Sequence, residues 1–591
     1  MRNVLRSGLK NWPTLLLFDM LYKMVGYSGF RSLGLWLRST VLQLVGLPML
    51  GQHNIVGAIL RNPLCLLLLF GVFLLLAYTV YLEISVLILY CEAGWQDRPL
   101  TLMGLVKTAF FRSVSIFRLQ NLPVLLALVP MVGLSSLPLV NGLLGKLSLP
   151  EFVVAYIHSS GVLYGLLVVL LALLNVLLFF YLFAFPAVIL KRQHYPAALR
   201  GSVRMLKGKK FKTALLMLGW LLILAAVAVL CMVTGIAVLW VWSKLFPGPD
   251  AGRSTFQLYY ESWSAVGRVV INVLCSVGVF SAVITLYHRL LGDVPPVVEH
   301  AAPTRKALFM QAATVAFTLF ALAVFSETEI AGSSHQPENV HTAIVAHRAG
   351  AEFGPENTVA ALELAIQDGA DMAEIDVQQT RDGELIVLHD TSFARTAGLD
   401  QPVWETDYAT VQTLDAGSYY SVRFQGEPIP TLVEMLEGAK GRIRLMIELK
   451  TTGHERDLVA QTIAEIKAAG MEKQCVIASM DPNLLQESKR LAPELETVYI
   501  TMLVLADTYD LDYVDGYSIE TDFLDLGIVA RIRVENKKVY AWTANSTGSF
   551  STIIALGADG IVTDNIPMAR LYLNLADKNY FFSSLMALLY P

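Results

Sequence analysis

Two regimes of hydrophobic patterning meet near residue 340. Before it, residues 64–90, 156–190, 213–242, 269–287 and 307–325 are apolar around the whole helical circumference and long enough to cross a hydrocarbon layer about 30 Å thick. A shorter candidate at 122–140 is broken by prolines, and a seventh span falls somewhere within 13–50, where Asp19, Lys23, Arg31 and Arg38 interrupt the pattern. After residue 342 the pattern changes. Short β-rich runs alternate with helical ones, as in repeated βα units around a parallel sheet.

Nine strands are predicted there, at 343–347, 372–377, 385–389, 444–450, 475–479, 497–501, 517–520, 539–543 and 560–563. That is one too many for an eight-stranded α/β barrel. Arg381-Asp382-Gly383-Glu384 resolves the excess, because a two-residue Asp-Gly turn of type I′ would send 385–389 back antiparallel to the strand before it. With Arg381 opposite Glu384, Asp376 falls opposite His389, and eight parallel strands remain. The predicted fold is a multispan α-helical membrane domain followed by a (β/α)8 TIM barrel with a small insertion.

Composition and charge agree. The chain of 591 residues is 55% hydrophobic and only 16% charged, with a mean hydropathy of +0.53, which no single soluble domain would carry. Residues 1–340 hold 26 Lys/Arg against 12 Asp/Glu, and residues 341–591 hold 19 against 37. With seven spans and the N-terminus inside, the inner connecting segments carry 18 Lys/Arg and the outer ones four, so the chain after 325 is expected outside the cytoplasmic membrane. The acidic half excludes nucleic acid as a partner. The five cysteines suggest no disulfide framework, and the N-terminus lacks the pattern of a cleaved signal. The expected organisation is a polytopic domain at 1–325, a linker at 326–341, a barrel at 342–575 with an insertion at 391–428, and an apolar tail at 576–591.

Polar residues cluster where predicted strands end. Glu374 and Asp376 share a strand face, His389 is placed opposite Asp376, His347 and Arg348 end the first strand, and Glu448 and Lys450 share a face of another. In this fold the C-terminal strand ends form the active face. Three carboxylates would repel there without a cation, and all-oxygen ligation suits Mg2+ or Ca2+ better than zinc. Arg and Lys beside such a cation imply an anion, above all a phosphate, and two histidines suit acid and base roles. Asp564, at another strand end, reads equally as a structural cap and as a ligand. No Gly-x-Ser-x-Gly elbow accompanies the His389-Asp390 pair, which argues against a serine triad.

His347-Arg348-Ala349-Gly350, Pro355-Glu356-Asn357-Thr358, Glu374-Ile375-Asp376-Val377, Thr380-Arg381-Asp382-Gly383, His389-Asp390, Glu448-Leu449-Lys450, Trp542 and Thr563-Asp564 together resemble the glycerophosphodiester phosphodiesterases. The first half is similar to the multispan domain that precedes this barrel in some bacterial members. One departure is Ala349, where the family often passes directly from His-Arg to Gly. The resemblance implies that Glu374, Asp376 and Glu448 bind one divalent metal, His347 and His389 act as general acid and base, Arg348 and Lys450 hold the phosphate, and Glu356 and Asn357 brace the site. Trp542 would pack on the glycerol or belong to the barrel core. The tyrosines of the insertion, Tyr408, Tyr419 and Tyr420, with Phe424, would line the cleft or form a core of their own.

The implied activity is metal-dependent hydrolysis of a glycerophosphodiester to sn-glycerol 3-phosphate and an alcohol, outside a bacterial cytoplasmic membrane, with membrane lipid or polyglycerophosphate as further expected partners. The rival reading is a transporter or scaffold whose barrel only binds phosphate-bearing ligands. Oligomeric state stays open at this point.

Overall fold

The computed structural model describes residues 2–47, 49–51, 54–122, 160–244, 249–294 and 342–576, with a few isolated positions between them. Its first half is helical: α1 (Arg2–Leu9), α2 (Trp12–Val45), then a short strand β1 (Met49–Gly51), α3 (Ile55–Leu60), α4 (Pro63–Trp95), α5 (Leu102–Ser113), α6 (Gly161–Lys191), α7 (Tyr195–Leu206), α8 (Lys210–Ser243) and α9 (Pro249–Leu291). Among the described residues, four helical stretches are long and apolar enough to cross a membrane: α4, α6, α8 and the Val270–Leu291 part of α9. They coincide with four of the five clear spans in the sequence. The fifth, at 307–325, lies almost wholly outside the described residues, as do most of the 122–140 candidate, the 326–341 linker and nearly all of the tail. The ambiguous region at 13–50 forms one long helix, α2, which falls short of that apolar threshold.

Polar residues tie one end of this bundle together. Asp97, beyond α4, is buried between Arg6 (2.8 Å) and Lys10 (2.6 Å) of the N-terminal segment. Glu92 of α4 meets His288 of α9 at 2.7 Å, and the His288 ring stacks on Trp95. The N-terminus and the C-terminal ends of α4 and α9 therefore share one side. The opposite end of α2 leads into β1.

The second half closes as a barrel. Strands β2 (Ala343–Ala346), β3 (Met372–Gln379), β7 (Arg444–Leu449), β8 (Cys475–Ser479), β9 (Glu496–Thr501), β11 (Gly516–Glu520), β12 (Lys538–Trp542) and β13 (Gly560–Thr563) pair in parallel, and β2 with β3 completes the ring. β4 (Leu385–Val387) returns antiparallel on β3, β5 (Ser392–Phe393) and β6 (Leu399–Pro402) lie in the insertion, and β10 (Val504–Ala506) follows β9. The period-2 alternation of a strand sorts the side chains. Ala373, Ile375 and Val377 face the surrounding helices, while Met372 joins Val345, Met446, Val476, Val498, Tyr540 and Val562 inside the barrel.

The hairpin register differs by one residue from the sequence expectation. Val377 pairs with Val387 and Gln379 with Leu385. The turn holds three residues, not two: Thr380 donates its N–H to Glu384, and Gly383 takes φ of 98°, the left-handed residue of a type I turn with a bulge. Asp376 therefore lies opposite Leu388, whose N–H it accepts at 2.9 Å. The insertion packs its own small core, built from Phe393, Val403, Val411 and Ala416 against Ile386 and Leu388, with Tyr408 at its margin.

Candidate active site

Continuing each inward row toward the C-terminal strand ends replaces apolar with ionic side chains. On β3 the row Met372, Glu374, Asp376 runs upward, and on β7 it is Met446, Glu448, Lys450. The parallel register sets Asp376 level with Glu448. Ligand oxygens of Glu374, Asp376 and Glu448 lie within 4.8 Å of one another, all three residues buried. Lys450 Nζ bridges Asp376 Oδ1 and Glu448 Oε1, at 2.8 Å each.

This donor set fits a divalent cation. Burial, followed by the charge of Asp376, pushes the Glu374 carboxyl well above the usual carboxylate range, and a cation among the three carboxylates would offset both. Burial opposes ionisation of Asp376 too, but Lys450, His389 and Arg348 outweigh it and hold that carboxyl low. Hard oxygen donors of this kind suit Mg2+ or Ca2+.

The loop after β2 supplies the next layer. Arg348, Ala349 and Gly350 take φ of 48°, 62° and 105°, three successive left-handed residues. For the two non-glycines this costs on the order of 1–3 kcal/mol each. The sharp turn aims the Arg348 N–H at Glu374 Oε2 (2.8 Å), and the Arg348 guanidinium reaches Glu356 Oε1 at 3.0 Å. Ala349, the departure from the usual motif, is fully buried within this turn. Asn357, also left-handed, donates Nδ2 to Asp376 Oδ2 at 2.7 Å and accepts the Asp376 N–H.

Each histidine is paired through Nδ1 with a carboxylate. His347 meets Asp564 Oδ1 at 2.7 Å, and His389 meets Asp390 Oδ1 at 2.9 Å. An ionised partner holds the proton on Nδ1 and leaves Nε2 for the substrate. Burial disfavours the charged form of His347, but Asp564 outweighs it and raises the pKa. Asp564 is therefore the partner of His347, and Asn545 fixes it by donating to Oδ2 (2.5 Å) and accepting its N–H. With the observed register, strict alternation would turn His389 away from Asp376. The chain leaves strand geometry after Val387, and His389 still lies close enough to Asp376 to favour its ionised form.

Arg395 is the residue that sequence reasoning missed. Standing in the insertion, it donates to Asp390 through Nε (2.7 Å) and to Glu356 through Nη1 and Nη2 (2.7 and 2.6 Å). One guanidinium thus joins the partner of His389 to the partner of Arg348. The available signal was its place five residues after Asp390, a spacing that no strand or helix period explains. Tyr419 also reaches the site, its hydroxyl accepting the Glu356 N–H at 3.1 Å. Trp542 donates its indole N–H to the Ser518 carbonyl and packs on the barrel's interior cluster.

Residues 347–568 match the glycerophosphoryl diester phosphodiesterase family, and residues 1–326 match the membrane domain of glycerophosphoryl diester phosphodiesterase. A glycerophosphodiester phosphodiesterase of Caldanaerobacter subterraneus is 31% identical over 38% of this chain and 94% of its own length, and one of Bacillus altitudinis is 30% identical over 38% and 94%. Among solved structures, an Oleispira antarctica phosphodiesterase in complex with the product sn-glycerol-3-phosphate is 28% identical over 39% of this chain and 96% of its own, with a TM-score of 0.38. With one match covering the helical half and the other the barrel that carries the paired histidines and the acidic trio, this chain belongs to the glycerophosphoryl diester phosphodiesterase family as a multi-pass membrane member.

Proposed function

We propose that this phosphodiesterase depends on one divalent cation, Mg2+ or Ca2+, held by Glu374, Asp376 and Glu448, and works on the outer face of a bacterial cytoplasmic membrane. The observation that carries the reading is the buried trio of carboxylates flanked by two histidine–carboxylate pairs. A cation bound there would supply charge stabilisation to the phosphate as it is attacked. Arg348 and Lys450 hold the phosphate oxygens, and Glu356 and Asn357 fix Arg348 and Asp376 in place.

The substrate's own 2-hydroxyl attacks phosphorus, and water then opens the cyclic phosphate to sn-glycerol 3-phosphate. His389 accepts the hydroxyl proton, since the charge of Asp390 is already shared with Arg395. His347, whose charged form Asp564 favours, donates its proton to the departing alcohol. Two observations support the outward placement: the excess of Lys/Arg in the segments assigned inside, and the barrel's attachment at the end of α2 remote from the Asp97 and His288 clusters. Steady-state hydrolysis of glycerophosphocholine by the full chain, before and after exhaustive chelation and with Mg2+ or Ca2+ restored, tests the proposal. Full activity in the metal-free protein would refute it.

A further inference from the structure

The barrel is attached to the membrane domain by its catalytic rim. β1 pairs antiparallel with β10 in the register Met49↔Ala506, Leu50↔Leu505, Gly51↔Val504. β10 sits in the loop leaving the C-terminal end of β9, on the same rim that carries His347, Asp376, Glu448 and Asp564 at the ends of their strands. Leu505 packs on an apolar cluster of Val41, Leu42, Leu50 and Cys65, and Arg38 of α2 meets Asp507 at 3.2 Å. The barrel's opposite rim makes no such pairing among the described residues.

Strand order locates the far edge of the mouth. From β9 to β2 is four strands in either direction around the ring, so the attachment stands across the mouth from the loop that carries His347. That far edge is apolar and exposed: Phe353 is 40% accessible, Tyr419 40% and Val422 82%. Tyr420 joins the two loops involved, donating its hydroxyl to the Glu352 carbonyl. One edge of the mouth is thus tied to the end of the membrane-crossing bundle, and the other offers aromatic and aliphatic side chains of the kind that settle at a bilayer interface.

We propose that the catalytic mouth opens onto the adjacent lipid leaflet and draws its glycerophosphodiester from it as a lysophospholipid. This rests on the hydrolase reading above. A single acyl chain holds such a substrate in the leaflet while leaving its glycerol 2-hydroxyl free beside the phosphodiester. For lysophosphatidylcholine the P–O bond to choline breaks, water supplies the new oxygen on phosphorus, and the departing oxygen takes a proton to give choline and a lysophosphatidic acid.

The test compares kcat/KM for lysophosphatidylcholine in phosphatidylcholine–phosphatidylglycerol vesicles with that for soluble glycerophosphocholine, using choline release for both and the full chain in the same vesicles. Val422→Glu, on an exposed side chain, and Leu505→Asp, which puts a charge in the apolar contact, should each lower the lipid-to-soluble ratio at least tenfold and leave the soluble substrate's rate intact. Facing residues of an antiparallel pair lie about 4.5–5.5 Å apart at Cα, within disulfide reach. A Leu50→Cys/Leu505→Cys chain cut at a protease site introduced within 326–341 should therefore stay joined without reductant and keep the wild-type ratio. This covers the case in which Leu505→Asp fails to fold. An unchanged ratio in Val422→Glu, or fragments that separate without reductant, would overturn the inference alone. Failure of the wild-type chain on both substrates would instead overturn the hydrolase reading, and this inference with it.

Discussion

Replacing Asp564 by Asn tests the assignment of His347 as the acid. Asn keeps the shape and a hydrogen bond to Nδ1 but removes the negative charge 2.7 Å away. Unit charges about 4 Å apart at an effective dielectric near 20 interact by about 4 kcal/mol. Both side chains are partly open to water, at 21% and 26%, so about half of that is expected to be felt. The His347 pKa should then fall by about 1 to 2 units, roughly 1.4 to 2.7 kcal/mol. The sign follows from the cause: Asp564 stabilises the imidazolium against the opposing effect of burial, so without it the proton leaves at lower pH. An acid that deprotonates earlier moves the alkaline limb of kcat/KM down by the same 1 to 2 units. The pH–rate profile of Asp564→Asn on glycerophosphocholine reads this directly, and an alkaline limb that stays in place while the rate falls would refute the role given to His347.

Removing a proton-transfer group removes roughly 10²- to 10⁴-fold in rate, so His347→Ala and His389→Ala should each lose at least the lower factor while retaining the wild-type circular dichroism spectrum. Arg395→Ala should reduce kcat at least tenfold because Asp390 and Glu356 both lose their shared partner, and Arg395→Lys should recover little, since one ammonium cannot span both carboxylates; kinetics of the two variants decide this. Glu374→Gln should weaken activation by added Mg2+ or Ca2+, measured as a rise in the metal concentration for half-maximal rate. A cysteine introduced at Lys209 should react with a membrane-impermeant reagent only from the cytoplasmic side, and a reporter fused after Pro591 should read as external.

The sequence by itself carried whatever depends on local period and residue type. Apolar runs without a polar face marked α4, α6, α8 and the end of α9, because a bilayer demands an unbroken apolar circumference. Period-2 alternation marked the barrel strands, and strand-end placement alone grouped Glu374, Asp376 and Glu448, whose ligand oxygens lie within 4.8 Å of one another. The hairpin register did not follow, because Asp-Gly serves a two-residue turn and a three-residue turn with a bulge equally well, and Thr380 selects the second by pairing with Glu384. Only the tertiary structure decided the partners of the two histidines. Asp564 comes from 217 positions along the chain, and Arg395 from a loop whose local sequence has no period to place it. The same holds for β1 with β10: three-residue strands leave almost no pattern, and their pairing exists because the membrane bundle and the barrel are brought edge to edge. Local periodicity fixes which side chains share a face, whereas contacts between distant segments depend on how the closed barrel and the bundle dispose their loops in space.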